Sequence, residues 1–256
     1  MNPASYIPMK KYQAILFDLY DTLVDLRVEQ FPLVTIGGQE RRSTSGVIYQ
    51  ALQEFYNHIG FDEFFQAFML TYLETEELRK QSYREILAEE RFRRLLQRMG
   101  VESPPLAAIK KVVGVHMDAM FAVMECPPSR RRVLEMLKRC YRLGLVSNFD
   151  HPPTVFRVLQ HYDLYTFFDT VVISGEAGWR KPHKEIFSRA LAGLGISPEE
   201  ALFVGDTPYA DIVGPKELGM DVAWLDHQVV ELDPTFPRPD YTIHDLEELL
   251  TILPVD

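Results

Sequence analysis

The chain has 256 residues, 46% of them hydrophobic and 25% charged, with 27 Lys+Arg against 37 Asp+Glu for a formal net charge of −10 at pH 7. This is the composition of a folded protein long enough for one large domain or a core plus a smaller module, and it excludes disordered and collagen-like chains. The negative total repels a phosphate backbone and no basic stripe overrides it, so no nucleic acid partner is expected. The two cysteines, Cys126 and Cys140, supply neither a disulfide framework nor a Cys-rich zinc site, which points to a reducing, cytoplasmic compartment.

In chain order, residues 1–11 carry Pro3 and Pro8 and lack the apolar centre of a secretion signal. No stretch approaches the roughly 18–20 apolar residues that cross a bilayer, so a soluble protein without a membrane partner is expected. The first strand is predicted at residues 14–17, a continuous apolar run of the kind buried on both faces of a parallel sheet. The pattern then changes. Residues 31–42, with Gly37-Gly38 at their middle, predict a small hairpin, and residues 47–59, 61–78, 83–99 and 106–124 predict amphipathic helices, broken at Ser103-Pro104-Pro105. After residue 127, apolar runs at 144–146, 171–173, 201–204 and 222–225 alternate with helical periods such as Ile186, Ala190 and Leu194. A strand at 241–243 and a helix at 245–253 close the series.

Strands alternating with helices predict an α/β fold, a doubly wound, Rossmann-like parallel sheet joined by right-handed crossovers. Residues 1–26 and 127–256 form this core in the expected arrangement, and residues 27–126 form a helical insertion placed to act as a lid. The insertion holds 12 Lys+Arg and 14 Asp+Glu, so most of the negative charge belongs to the core.

Ligands of an open parallel sheet gather beyond the carboxyl ends of its strands. The first run ends in Asp18, with Asp21 and Thr22 just after; the second ends in Ser147-Asn148; the fourth ends in Gly205-Asp206-Thr207, followed by Asp211. After the third comes Trp179-Arg180-Lys181-Pro182, with Pro182 suited to the first position of a helix and Lys181 just ahead of it. Four polar groups of residues therefore converge on one edge.

These strings, Phe17-Asp18-Leu19-Tyr20-Asp21-Thr22-Leu23, Val146-Ser147-Asn148, Arg180-Lys181-Pro182 and Val204-Gly205-Asp206 through Asp211, resemble in content and order the motifs of the haloacid dehalogenase-like hydrolases. The resemblance covers essentially the whole chain, with residues 27–126 as the helical cap that many members insert after the first motif. It implies that Asp18 is the nucleophile and forms a covalent aspartyl intermediate that water opens. It further implies Mg²⁺ held by Asp18, Asp206 and the Tyr20 carbonyl, with Lys181 neutralising the transferring group. Ser147 would bind a phosphoryl oxygen, Asn148 and Thr22 would contact substrate, and Asp211 would orient Lys181 or a metal-bound water. The expected activity is hydrolysis of a small phosphorylated molecule.

Tyr20 departs from that pattern. Phosphatases of the family carry an aspartate there, which protonates the leaving alkoxide, a contribution of about 10²–10⁴ in rate. A tyrosine resembles the dehalogenases, whose leaving halide needs no proton, yet those enzymes use no metal and lack a carboxylate matching Asp206. A phosphoryl compound with a good leaving group reconciles both residues. Two alternatives stay open, a metal-independent 2-haloacid dehalogenase, for which Arg41 and Arg42 are available, and a degenerate member that binds a phosphorylated ligand or a protein without turnover.

The remaining features read as structural. Phe55, Tyr56, Phe61, Phe64, Phe65, Phe68 and Tyr72 suit packing, the arginines at 130–132 and between 91 and 98 suit solvated helix faces, and Gly193-Leu194-Gly195 suits a helix end. His151 is the one histidine near the inferred crevice. Substrate identity and oligomeric state are not encoded in these motifs.

Overall fold

A computed structural model of the chain describes residues 12–227 and 231–255; residues 1–11, read above for a secretion signal, lie outside them. The strands are β1 (Ala14–Phe17), β2 (Asp25–Leu26), β3 (Leu33–Ile36), β4 (Gln39–Arg42), β5 (Met124–Glu125), β6 (Arg142–Ser147), β7 (Thr170–Ile173), β8 (Ala201–Gly205), β9 (Asp221–Leu225) and β10 (Tyr241–Ile243). The helices are α1 (Ser45–Gln53), α2 (Phe61–Ser82), α3 (Ala88–Arg98), α4 (Leu106–Phe121), α5 (Pro128–Leu137), α6 (Pro152–His161), α7 (Ser174–Ala177), α8 (Lys184–Leu194), α9 (Gly214–Leu218) and α10 (Leu249–Ile252).

Six strands form one parallel sheet in the order β10-β9-β8-β1-β6-β7, with β1 between β8 and β6. All four residues of β1 are buried because both faces are covered, which is why its sequence is continuously apolar. Alternation along the strand divides them: Ile15 and Phe17 join a cluster with Leu134, Val155 and Leu249 from α5, α6 and α10, while Ala14 and Leu16 join one with Phe187 and Ala190 from α8. The α/β, doubly wound architecture expected from the sequence is the observed one.

Helices α1–α4 bury a separate apolar cluster that includes Ile48, Phe64, Phe92, Leu95 and Val112. Phe61, Phe64, Phe65 and Phe68 of α2 serve this packing, with Phe61 and Phe64 edge-on or tilted against Tyr49, whereas Phe55 and Tyr72, also expected to pack, are 40% and 46% exposed. Strands β3 and β4 form the antiparallel hairpin expected at the glycine pair, where Gly37 and Gly38 both take positive φ (55° and 77°).

Three expectations are corrected. The helix predicted from residue 83 begins at Ala88, because Tyr83 ends α2 in a left-handed conformation and residues 84–87 run along the core instead. There Arg84 bridges Trp179, and the Glu85 and Ala88 amides donate to the Gly178 and Asp150 carbonyls. Pro182 does not open a helix; α8 starts at Lys184, capped by His183, whose Nδ1 accepts from the Glu185 amide. Arg91 is not on a solvated face, being only 8% exposed. Among the described residues, no helix is long and apolar enough to cross a membrane.

Candidate active site

The chain leaves β1 through Asp18, whose amide continues the sheet by donating to the Val204 carbonyl of β8 at 2.9 Å. A tight turn follows. Asp21 sits at φ 58°, its amide donates to the Val24 carbonyl, and its own Oδ1 accepts from the Leu26 amide at 3.1 Å. The Asp21 carboxylate therefore serves the turn. Thr22 is fully buried and donates from Oγ1 to Oδ1 of Asp206 at 3.1 Å, linking the first and fourth motifs.

Asp206 follows β8, and its carbonyl accepts from the Trp224 indole at 2.9 Å. Asp211 lies on a widened helical turn, Tyr209–Val213, and its Oδ2 accepts from the Thr207 amide at 3.0 Å. Its carboxyl group packs so closely on the strand end that a Cβ at Gly205 would lie 2.5 Å from it; glycine is the residue this position admits.

Lys181 reaches the centre from the segment before α8. Its side chain is 2% exposed, and Nζ lies 2.5 Å from Asp18 Oδ1 and 2.7 Å from Asp211 Oδ1. Asn148 fixes the backbone that carries it: the side-chain amide donates to the Lys181 carbonyl at 3.1 Å and accepts from the Lys181 amide at 2.7 Å. Ser147, the last residue of β6, is fully buried, and its hydroxyl has no partner among the described residues.

Three carboxylates, Asp18, Asp206 and Asp211, thus offer oxygens within 4.8 Å of one another around a single ammonium. Burial pushes Asp18 up to about 7, reinforced by Asp211 and Asp206 and opposed by Lys181. Burial and Asp211 likewise push Asp206 up to about 6. Burial alone would lower Lys181, but Asp18 and Asp211 overcome it and hold the ammonium charged. The arrangement has more negative charge than one lysine neutralises, and an all-oxygen donor set of this kind fits a hard divalent cation.

Tyr20 packs at a tilt against Phe149 with ring centroids 4.7 Å apart; its hydroxyl is buried without a partner among the described residues, and burial, Asp18 and Asp150 all push its ionisation upward. No side chain of the first motif thus presents a carboxylic acid where the sequence places Tyr20. His151 accepts or donates at Thr154 Oγ1, 2.8 Å away, at the start of α6.

Sequence reasoning missed a second buried charge network. Asp150 accepts from Arg79 and Arg91, each at 3.0 Å, and Arg79 and Arg180 also reach Glu85, at 2.9 and 2.5 Å. Ser174 donates to the same Glu85 carboxylate. Burial alone would raise Asp150, but Arg91 and Arg79 hold it below the usual carboxylate range. The one available signal was that Asp150 lies three residues past a strand end, where polar side chains face the crevice.

A parallel doubly wound sheet with carboxylates at the ends of β1 and β8 and a lysine between them defines a class of α/β hydrolytic enzymes. The family model described as haloacid dehalogenase-like hydrolase matches residues 12–219. The chain belongs to that family of hydrolases. It is 34% identical over 161 residues, 62% of this chain and 67% of the relative, to a glyceraldehyde 3-phosphate phosphatase of Pyrococcus furiosus. With the protein of the same name from Methanopyrus kandleri it shares 29% identity over 94% of this chain and 97% of the relative. Its fold is similar to that of the HAD-hydrolase YfnB of Bacillus subtilis bound to magnesium, with TM-score 0.64 at 22% identity, covering 96% of this chain and all of that one.

Proposed function

We propose that this hydrolase is a Mg²⁺-dependent phosphatase that acts on small phosphorylated molecules through Asp18. The observation that carries the reading is the cluster of Asp18, Asp206 and Asp211 about Lys181, with Ser147 at the end of the strand beside β1, its hydroxyl buried without a partner among the described residues. Asp18, Asp206 and the Tyr20 carbonyl would hold the cation, which when bound offsets the repulsion between the Asp18 carboxylate and a phosphate dianion.

A carboxylate oxygen of Asp18 attacks phosphorus, the bond to the leaving oxygen breaks, and an aspartyl phosphate forms. Water then displaces phosphate and regenerates the carboxylate. Lys181 neutralises charge on the transferring group, Ser147 donates to one of its oxygens, Asp211 and Asn148 keep Lys181 in place, and Thr22 orients Asp206. Residues 1–26 and 127–256 act as the core and 27–126 as a cap over the strand ends.

The phosphatase names of the relatives support this reading. Their sugar-phosphate substrate is not carried over, because Tyr20 gives the leaving oxygen no carboxylic acid. Weakly basic leaving groups, aryl oxides or carboxylates, are the better substrates. Tyr20 also suits a halide, but a dehalogenase without metal leaves Asp206 and Asp211 beside Asp18 without a purpose. The test is hydrolysis of 4-nitrophenyl phosphate. Turnover is expected with Mg²⁺, abolished by EDTA and reduced at least about 10³-fold in Asp18→Asn. Turnover that survives EDTA, or that Asp18→Asn retains, would overturn the proposal.

A further inference from the structure

A cavity of about 550 Å³ opens between helices α2–α4 and the core, and its lining includes Asn148 and Phe149, the two residues that follow Ser147. Asp18, Ser147 and Lys181 do not line it; it adjoins their site through Asn148, whose side chain holds the Lys181 backbone, and Phe149, which packs against Tyr20. The volume lies within the roughly 300–1,000 Å³ of small-molecule pockets and is generous for a short halo acid.

Its walls are mainly apolar and polarisable: Phe68, Met69, Tyr72, Met117, Met120 and Phe149. Met69 and Tyr72 are 38% and 46% exposed, although they stand on a helix that buries its other side. Ring-bearing molecules suit such surfaces. Four arginines also line the cavity, but three are committed. Arg79 and Arg91 pair with Asp150, and Arg180 pairs with Glu85. Arg42, an exposed residue at the end of β4, differs: its Nη1 donates to the Phe31 carbonyl at 2.9 Å, and among the described residues it has no carboxylate partner. The cavity thus combines apolar walls with one exposed guanidinium that, among the described residues, is held by a backbone carbonyl and by no carboxylate.

Resting on the phosphatase reading, we infer that this cavity receives the leaving group of the substrate, and that this group is a carboxylic acid with an apolar, ring-bearing body whose carboxylate is paired by Arg42. A planar guanidinium pairs a carboxylate through two parallel hydrogen bonds, which a lysine does not reproduce.

The experiment compares kcat/KM for 4-carboxyphenyl phosphate and phenyl phosphate with Mg²⁺ present. The carboxylated compound is expected to be favoured about tenfold through KM. Arg42→Ala should bring the ratio near one and Arg42→Lys should restore it in part, while Arg41→Ala, on the other face of the hairpin strand, should retain it. A ratio near one in the wild type, or one that Arg42→Ala leaves in place, overturns the inference with the phosphatase reading intact. Failure of the phosphatase reading has a different signature, no Mg²⁺-dependent turnover of either compound, and takes the inference with it.

Discussion

Ser147 illustrates what a ligand-free site asks of a single side chain. Its hydroxyl is buried with no partner among the described residues, so it costs desolvation in the free protein and gains a hydrogen bond when a ligand oxygen arrives. Ser147→Ala is therefore expected to leave the melting temperature equal or higher while lowering kcat/KM by about 10²-fold, as removal of a preorganised donor does. Thermal unfolding and 4-nitrophenyl phosphate kinetics on the same preparation check this; a clear loss of stability would show that the hydroxyl has a structural partner instead. Tyr20 poses the complementary question. Tyr20→Asp introduces an acid beside Asp18 and should raise the rate on alkyl phosphates relative to aryl phosphates. An unchanged ratio would mean that protonation of the leaving oxygen is not what limits the enzyme.

Among the elements, the segment between α2 and α3 ties the helical insertion to the sheet. Its anchors are Glu85, whose side chain is 1% exposed and takes Arg79 and Arg180, and Asp150, which takes Arg79 and Arg91. Arg84 adds a stack on Trp179 with its guanidinium 3.5 Å from the ring, and Trp179 in turn lies flat on His183. Asp150→Asn leaves the Arg91 guanidinium buried without a carboxylate, and breaking a buried pair in this way costs about 3–5 kcal/mol. Urea unfolding of the variant measures it, and a loss under about 1 kcal/mol would mean that solvent reaches the pair. Beyond the position of Asp150 just past a strand end, this network was not legible in the sequence. An arginine on an amphipathic helix reads as solvated unless its partner is known, and Asp150 is 59 residues from Arg91 in the chain. The strands of the six-stranded sheet, by contrast, were legible to within a residue or two, because burial between two helix layers leaves continuous apolar runs, whereas the two-residue strands β2 and β5 were missed. The same reasoning located Asp18, Ser147 and Asp206 at their ends. Lys181 was found from its motif, and the roles of Thr22 and Asn148 as holders of Asp206 and Lys181 became visible only in three dimensions.

At the scale of the whole molecule, two apolar clusters flank the sheet, a third fills the helical insertion, and polar residues occupy the boundary where the cavity opens. Burial, aided by Arg91, lowers His116 at this boundary to about 3, and its Nδ1 lies 3.0 Å from Thr44 Oγ1. The unfolded chain binds a proton at His116 below about 6.5 and the folded protein does not until about 3. Across that window His116 makes stability rise with pH, so its contribution is lost as the pH falls, by up to about 1.4 kcal/mol per unit. His116→Gln should flatten the unfolding free energy of the parent between pH 4 and 6; identical slopes would show that the imidazole titrates normally in the folded state.

Chemistry at Asp18 is tested most directly by a crystal structure of the protein soaked with Mg²⁺ and beryllium fluoride, which forms a stable mimic of a phosphorylated carboxylate. Predicted is density joined to an Asp18 oxygen, a cation touching Asp18 and Asp206, and fluorines beside Ser147 Oγ and Lys181 Nζ. An Asp18 that stays paired with Lys181 alone, with cation and fluoride bound elsewhere or not at all, would contradict it.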